Sequence, residues 1–240
     1  MNQTEKALID IAYPYWELEA EIARRFFRSQ PSKEKHTFWL KAQLWKELHP
    51  VDGYFSGLHM ELKKIVAMFP EVDKTVDRHQ YHFLMEQMTQ EFNHYVLQAD
   101  ILEHLLGHSI GPDDTFQLAE EKQLGNVRRK YVAGTKVQKA AVLVTEGGGA
   151  RLFREGRKLK GTPLARRIAA AMDVIYRDEK DHYKQAAQQA AACVKTKRDL
   201  ATMGKAIREI SLQRVLMRNE MFQTGMAMKE LKQAVEKYRR

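Results

Sequence analysis

The chain is poor in residues that break helices and in residues that crosslink chains. Its 240 residues include 13 glycines, 6 prolines and a single cysteine, Cys193. One cysteine excludes an internal disulfide, which is typical of a protein in a reducing compartment. Because glycine, proline and runs of β-branched residues are scarce, the composition favours an all-helical protein.

Long hydrophobic runs are missing as well. No apolar stretch approaches the roughly 20 residues that span a bilayer. Residues 1–6 lack the basic and then apolar order of a secretory signal. We therefore expect no membrane association and a cytoplasmic location.

The spacing of apolar residues predicts about seven helices in a single domain over residues 1–240. Gly161, Thr162 and Pro163 form the clearest turn between two helices, with Thr162 as the N-cap and Pro163 at the first helical position. The predicted helical stretches are 4–28, 32–48, 54–69, a long helix that ends at 106, 116–158 with interruptions at Gly125 and Gly134, 163–194 and 198–238.

Positive charge is concentrated in one part of the chain. The formal net charge is +9, but residues 122–170 alone carry +11, with Glu146 and Glu155 as the acids of that segment. Such a bias predicts either a solvated helix face or a surface for an acidic partner such as RNA, an acyl-carrier protein or a phosphorylated metabolite.

Two Glu-x-x-His motifs carry most of the chemical information in the sequence. They are Glu91 with His94 and Glu179 with His182, each within a predicted helix. Residues three apart share a helix face, so each motif presents a carboxylate and an imidazole together. Both motifs continue an apolar face, where charged groups are costly unless they are paired or bound to metal. Their position therefore favours a buried metal site.

Hairpin geometry indicates the remaining carboxylates. Two antiparallel helices that share a site place their ligands at similar distances from the turn between them. Glu146 and Glu179 have their midpoint between Thr162 and Pro163, and Glu146 follows an apolar run. In the first half, Glu61 and Glu91 have their midpoint at Val76, and Glu19 is the alternative to Glu61.

The set Glu61, Glu91, His94, Glu146, Glu179 and His182 resembles that of the ferritin-like di-iron carboxylate superfamily. The superfamily includes rubrerythrins, ribonucleotide reductase small subunits and di-iron oxygenases. The resemblance covers about residues 54–194 and implies a four-helix bundle, with additional helices over 4–48 and 198–238. It also implies two iron ions, with manganese as the alternative at one or both positions.

That resemblance implies a non-heme di-iron oxidoreductase. Such an oxidase or oxygenase would use O2 on an organic substrate, acidic or carrier-bound, and would need an electron donor. One alternative is an iron-binding or peroxide-scavenging protein of the ferritin or rubrerythrin kind. Another is a metal-free helical protein that binds nucleic acid through its basic segment.

Three further features bear on this site. Asp178 and Asp100 are candidates to hold the histidines through their second ring nitrogen, with surface solvation as the alternative. Tyr95 and Tyr183 directly follow the two histidines, and packing is the simpler role for both. The glycines 147–149 indicate either space or a bulge beside the metals, or close approach of two helices.

Overall fold

The computed structural model describes residues 1–49, 58–145 and 147–239, without the side chains of residues 58–61. Within these ranges the protein is helical and has no strand. The prediction of an all-α protein is therefore confirmed. None of the helices in the described ranges combines the length and the apolar character that a bilayer span requires.

Eleven α-helices follow one another in the described residues. Short 3₁₀ turns at Phe69–Glu71 and Pro112–Asp114 flank the fourth of them. The helices are α1 Gln3–Arg28, α2 Lys33–Leu48, α3 Leu58–Met68, α4 Arg78–Leu106, α5 Ala119–Val132, α6 Lys136–Val144, α7 Gly147–Gly156, α8 Pro163–Glu179, α9 His182–Ala191, α10 Lys197–Met221 and α11 Met228–Tyr238.

Helix α1 lies at the centre of the hydrophobic core. It packs against α7, α9, α10 and α11, and apolar side chains are buried on most of its circumference. Helix α10 is its main long partner and packs also on α5 and α6. Helices α1 and α10, expected to belong to additions to a bundle over 54–194, thus form the middle of the core.

Several predicted helices are interrupted or joined differently. Gly125 lies buried inside α5 and does not interrupt it. The helix expected over 163–194 is divided at Lys180 and Asp181, which lets α8 pack on α4 and α7 while α9 packs on α1 and α6. The helix expected over 198–238 ends at Met221, because Gln223 and Gly225 adopt positive φ angles of 49° and 66°.

The glycines at the start of α7 permit its close contact with α1. A Cβ atom at Gly148 would lie 1.8 Å from Oε1 of Glu19, and one at Gly147 would lie 2.7 Å from the ring of Trp16. At Gly149 the nearest atom, Nη2 of Arg214, would be 3.9 Å away. Close helix approach therefore explains the first two glycines of the run.

We expect Gly148→Ala to lower the free energy of unfolding by about 1–3 kcal/mol, because the methyl group displaces the buried Glu19 carboxylate. The matched variant Gly149→Ala has room for its methyl group and gains helix propensity. Its stability should be unchanged or higher by up to about 1 kcal/mol. Urea denaturation of both variants measures the difference, and equal stability would contradict the close-contact explanation.

Ion pairs join α1 to α7 and neutralise part of the basic segment. Arg154 donates to both oxygens of Glu17, at 3.3 and 3.0 Å. Glu155, only 6% exposed, accepts from Arg24 at 3.3 Å and from Lys158 at 2.9 Å. Burial alone would raise the pKa of Glu155, but these two cations outweigh it and lower the pKa to about 2.

This low pKa predicts a contribution of Glu155 to acid sensitivity. Its folded-state pKa lies below the ordinary value of 4.5. The stabilisation that ionised Glu155 gives the folded state is therefore complete above about pH 5 and is lost as the pH falls toward 2. The lowered pKa corresponds to a contribution of about 3 kcal/mol to the free energy of unfolding. We expect Glu155→Gln to remove that part of the pH dependence of unfolding between pH 5 and 2.5. An unchanged pH profile in Glu155→Gln would show that the pKa is not depressed.

Candidate metal centre

Glu91, His94 and Glu179 come together between α4 and α8. Each offers a ligand atom, and these atoms lie within 4.8 Å of one another. Nδ1 of His94 is 3.8 Å from Oε2 of Glu91 and 3.7 Å from Oε1 of Glu179. His94 is buried, with 2% of its side chain exposed, while the two carboxylates are partly exposed.

These separations fit atoms that surround one metal ion. They exceed the 2.7–3.2 Å of a good N–H···O hydrogen bond. Ligand atoms about 2.1 Å from a shared ion lie about 3–4 Å from each other, and both distances from Nδ1 of His94 fall in that range. Carboxylate oxygens with imidazole nitrogen are a donor set that suits iron and manganese. The three residues therefore fit a transition-metal ion.

Asp178 fixes the orientation of the His94 ring. Oδ2 of Asp178 lies 3.0 Å from Nε2 of His94, on the ring edge away from the two glutamates. A carboxylate in this position sets the tautomer of a ligating histidine and makes it more basic. This arrangement supports the role considered for Asp178 from the sequence, whereas Asp100 is exposed.

His182 adjoins the cluster through Glu179. It is the first residue of α9, three residues after the last residue of α8, and its Nδ1 lies 3.1 Å from Oε2 of Glu179. The second Glu-x-x-His motif thus spans a junction between two helices rather than one continuous helix. Its carboxylate and imidazole are nevertheless adjacent.

The pKa values of Glu91, His94 and His182 are all raised in this cluster. Burial raises the pKa of Glu91, and the charges of Glu179 and Glu47 raise it further. Burial alone would lower the pKa of His94, but the neighbouring carboxylates of Glu91, Glu179 and Asp178 raise it to about 9. The hydrogen bond with Glu179 raises the pKa of His182. A bound metal takes the place of protons on these groups, since ligands must be deprotonated.

The other predicted ligands are placed as follows. Glu146 and the side chain of Glu61 lie outside the described residues, so both stay predictions. Glu19, the alternative to Glu61, is fully buried and accepts from Nε of Arg214 and Nε of Arg218, each at 3.2 Å. Its oxygens are thus engaged by two guanidinium groups, and Glu19 belongs to the core rather than to the metal centre.

We expect Glu19→Gln to lower the free energy of unfolding by about 3–5 kcal/mol, because it leaves two buried guanidinium groups without their carboxylate. Glu230→Gln is the matched control. Glu230 also pairs with an arginine, Arg25, but on the surface, where such a pair contributes about 0–1 kcal/mol. Chemical denaturation without added metal tests both variants, and a small effect of Glu19→Gln would contradict this role.

A cavity of about 330 Å³ adjoins the cluster. Its wall includes Glu91, His94, Glu179 and His182, so the candidate ligands face the cavity. The apolar part of the wall is formed by Phe83, Val142, Leu143, Phe153 and Ala186, and the amide groups are those of Gln43, Gln87, Gln185 and Gln189. The wall also includes Lys46, Arg214 and Arg218, so it offers apolar surface beside polar and charged groups, as a site for a polar small molecule does.

One acidic side chain of this cavity was not identified from the sequence. Glu47, in the last turn of α2, lines the same space. Hairpin geometry points to Glu61 for this half of the site, with Glu19 as the alternative, and it gives no position to Glu47. The spacing of Trp39, Gln43 and Glu47 along one helix face was the available signal.

The two tyrosines beside the histidines have packing roles. Tyr183 makes an edge-to-face contact with Trp16, at 5.4 Å between ring centres. Tyr95 stacks on Phe92 at 5.9 Å. Both observations agree with the simpler of the two roles considered.

Comparisons with known proteins do not identify the chain. It matches no family model, no curated protein and no solved structure. Function must therefore be inferred from the cluster and the cavity.

Proposed function

We propose that this protein is a non-heme di-metal oxidoreductase that uses O2 to oxidise an organic substrate. The observation that carries the proposal is the cluster of Glu91, His94 and Glu179, which opens onto a cavity of about 330 Å³. Glu91, His94, Glu179 and His182 would hold iron, or manganese at one or both positions. Glu61 and Glu146 are the further ligands expected from the sequence. The metal would supply the activation of O2.

The residues of the chain have distinct tasks in this proposal. Asp178 holds the ring of His94 so that Nδ1 faces the two glutamates. Phe83, Leu143 and Phe153 line the cavity with apolar surface against which an organic substrate can pack. The glutamine side chains of the wall would orient polar groups of the substrate.

The cavity favours an oxidase or oxygenase over a storage protein. Iron storage needs no cavity for an organic molecule beside the metal, whereas substrate oxidation does. The metal-free alternative has less support, because Arg151, Arg154, Arg157 and Lys158 of the basic segment pair with acids of this chain. A ferritin-like bundle is supported by the ligand motif, while the central position of α1 and α10 is a feature of this chain.

The first test is metal binding. We expect the wild-type protein, loaded anaerobically with Fe(II), to retain two ions per chain. His94→Ala should abolish binding at the cluster. Asp178→Asn should lower the affinity by about 10–100-fold, because it removes the partner of Nε2. At a free-ion concentration of 100 Kd, metal should stabilise the wild-type fold by about 2.7 kcal/mol.

The control is His82→Ala. His82 lies on α4 as well, but it is exposed and is paired with Glu86 through a surface contact of 3.4 Å. Metal content is measured by elemental analysis, and the state of the iron by Mössbauer spectroscopy before and after exposure to O2. A wild-type protein that retains no transition metal would contradict the proposal. Iron uptake without any oxidation of added organic compounds would favour storage instead.

A further inference from the structure

Glu47 brings a third carboxylate to the cavity beside the metal centre. It lies on α2, which packs along α4, the helix of Glu91 and His94. Its side chain lines the same cavity as Glu91. Three carboxylates from three helices thus border one cavity, together with two imidazoles.

Two buried amides hold Glu47 through a single oxygen. Nε2 of Gln98 donates to Oε1 of Glu47 at 3.2 Å and to the carbonyl of His94 at 3.1 Å. Nε2 of Gln43 donates to the same Oε1. Gln43 and Gln98 are 2% and 1% exposed. In the described part of the chain, Oε2 of Glu47 makes no hydrogen bond or ion pair.

The side chain of Gln43 is itself held in place by a hydrogen bond from a buried arginine. Nη1 of Arg218 donates to Oε1 of Gln43 at 2.7 Å, and Arg218 is bound to Glu19. The amide of Gln43 therefore has its oxygen occupied and its nitrogen directed to Glu47. This chain of contacts gives the Glu47 carboxylate a fixed orientation, which a ligand requires.

We propose that Glu47 is a ligand of the metal centre and binds the ion through Oε2. This assignment rests on the proposed metal-binding function and refines its ligand set. A divalent cation bound among Glu47, Glu91 and Glu179 offsets the repulsion between these three carboxylates. Glu47 then fills, from α2, the role that the sequence predicted for Glu61.

The melting temperature of the metal-free Glu47→Gln variant distinguishes a ligand from a residue that only supports the fold. Glu47→Gln keeps an acceptor oxygen for Gln43 and Gln98 but removes the charge. If Glu47 is a ligand, the metal-free variant should melt at the same temperature as the wild type or higher, because repulsion with Glu91 and Glu179 is relieved. If Glu47 only supports the fold, the metal-free variant should melt lower.

The experiment compares three variants, Glu47→Gln, Glu61→Gln and Glu86→Gln, with the wild type. Glu86 lies on α4 and is exposed, with 59% of its side chain accessible, so it is the control. Each protein is stripped with a chelator and titrated anaerobically with Fe(II), and in parallel with Mn(II). We expect Glu47→Gln to bind one ion fewer per chain or to bind at least tenfold more weakly. Glu86→Gln should match the wild type.

The outcomes separate this assignment from the proposed function. If the wild type binds neither Fe(II) nor Mn(II), both fail. If the wild type binds metal and Glu47→Gln binds it with the same number and affinity, Glu47 is not a ligand, although the proposed function stands. A metal-free Glu47→Gln protein that is less stable than the wild type, or that does not fold, also overturns the assignment.

Discussion

The fold depends on one buried carboxylate shared by two arginines. Glu19 on α1 accepts from Arg214 and Arg218 on α10, and all three side chains are at most 1% exposed. Ionised groups without water are tolerated only when their partners are in place. The pairing therefore specifies the rotation of α1 against α10. It also requires glycine at position 148, because a side chain there would meet the Glu19 carboxylate.

The same ion pair is connected to the candidate metal centre. Arg218 contacts Gln43, Gln43 contacts Glu47, and Gln98 joins Glu47 to the backbone of His94. The polar groups of the core thus form a continuous series from the centre of the protein to the cavity wall. A buried series of this kind is rigid only when each member has its partner. The positions of the candidate ligands are consequently set by residues that would never touch a metal.

The sequence predicted the helical class and the residues of the Glu91, His94 and Glu179 cluster, for physical reasons that are visible in the structure. Glu91, His94, Glu179 and His182 could be found because carboxylates and imidazoles recur at helical spacing on apolar faces. Glu47 could not be found by that reasoning, since its approach to Glu91 depends on how α2 packs on α4. The breaks after Glu179 and Met221 are likewise decided by tertiary packing and by backbone φ angles, without a proline at either position.

The junction between α8 and α9 gives the two motifs different mechanical properties. Glu91 and His94 lie within one helix and keep their spacing whatever binds. Glu179 ends α8 and His182 begins α9, so a ligand held by both would close the junction at Lys180 and Asp181. The rate of amide hydrogen exchange at these two residues would then report how much of the protein has ligand bound. Exchange requires local opening, and local opening would first have to release the ligand. The motif on α4 is therefore preformed, whereas the motif across the junction of α8 and α9 would be fixed by the ligand that it binds.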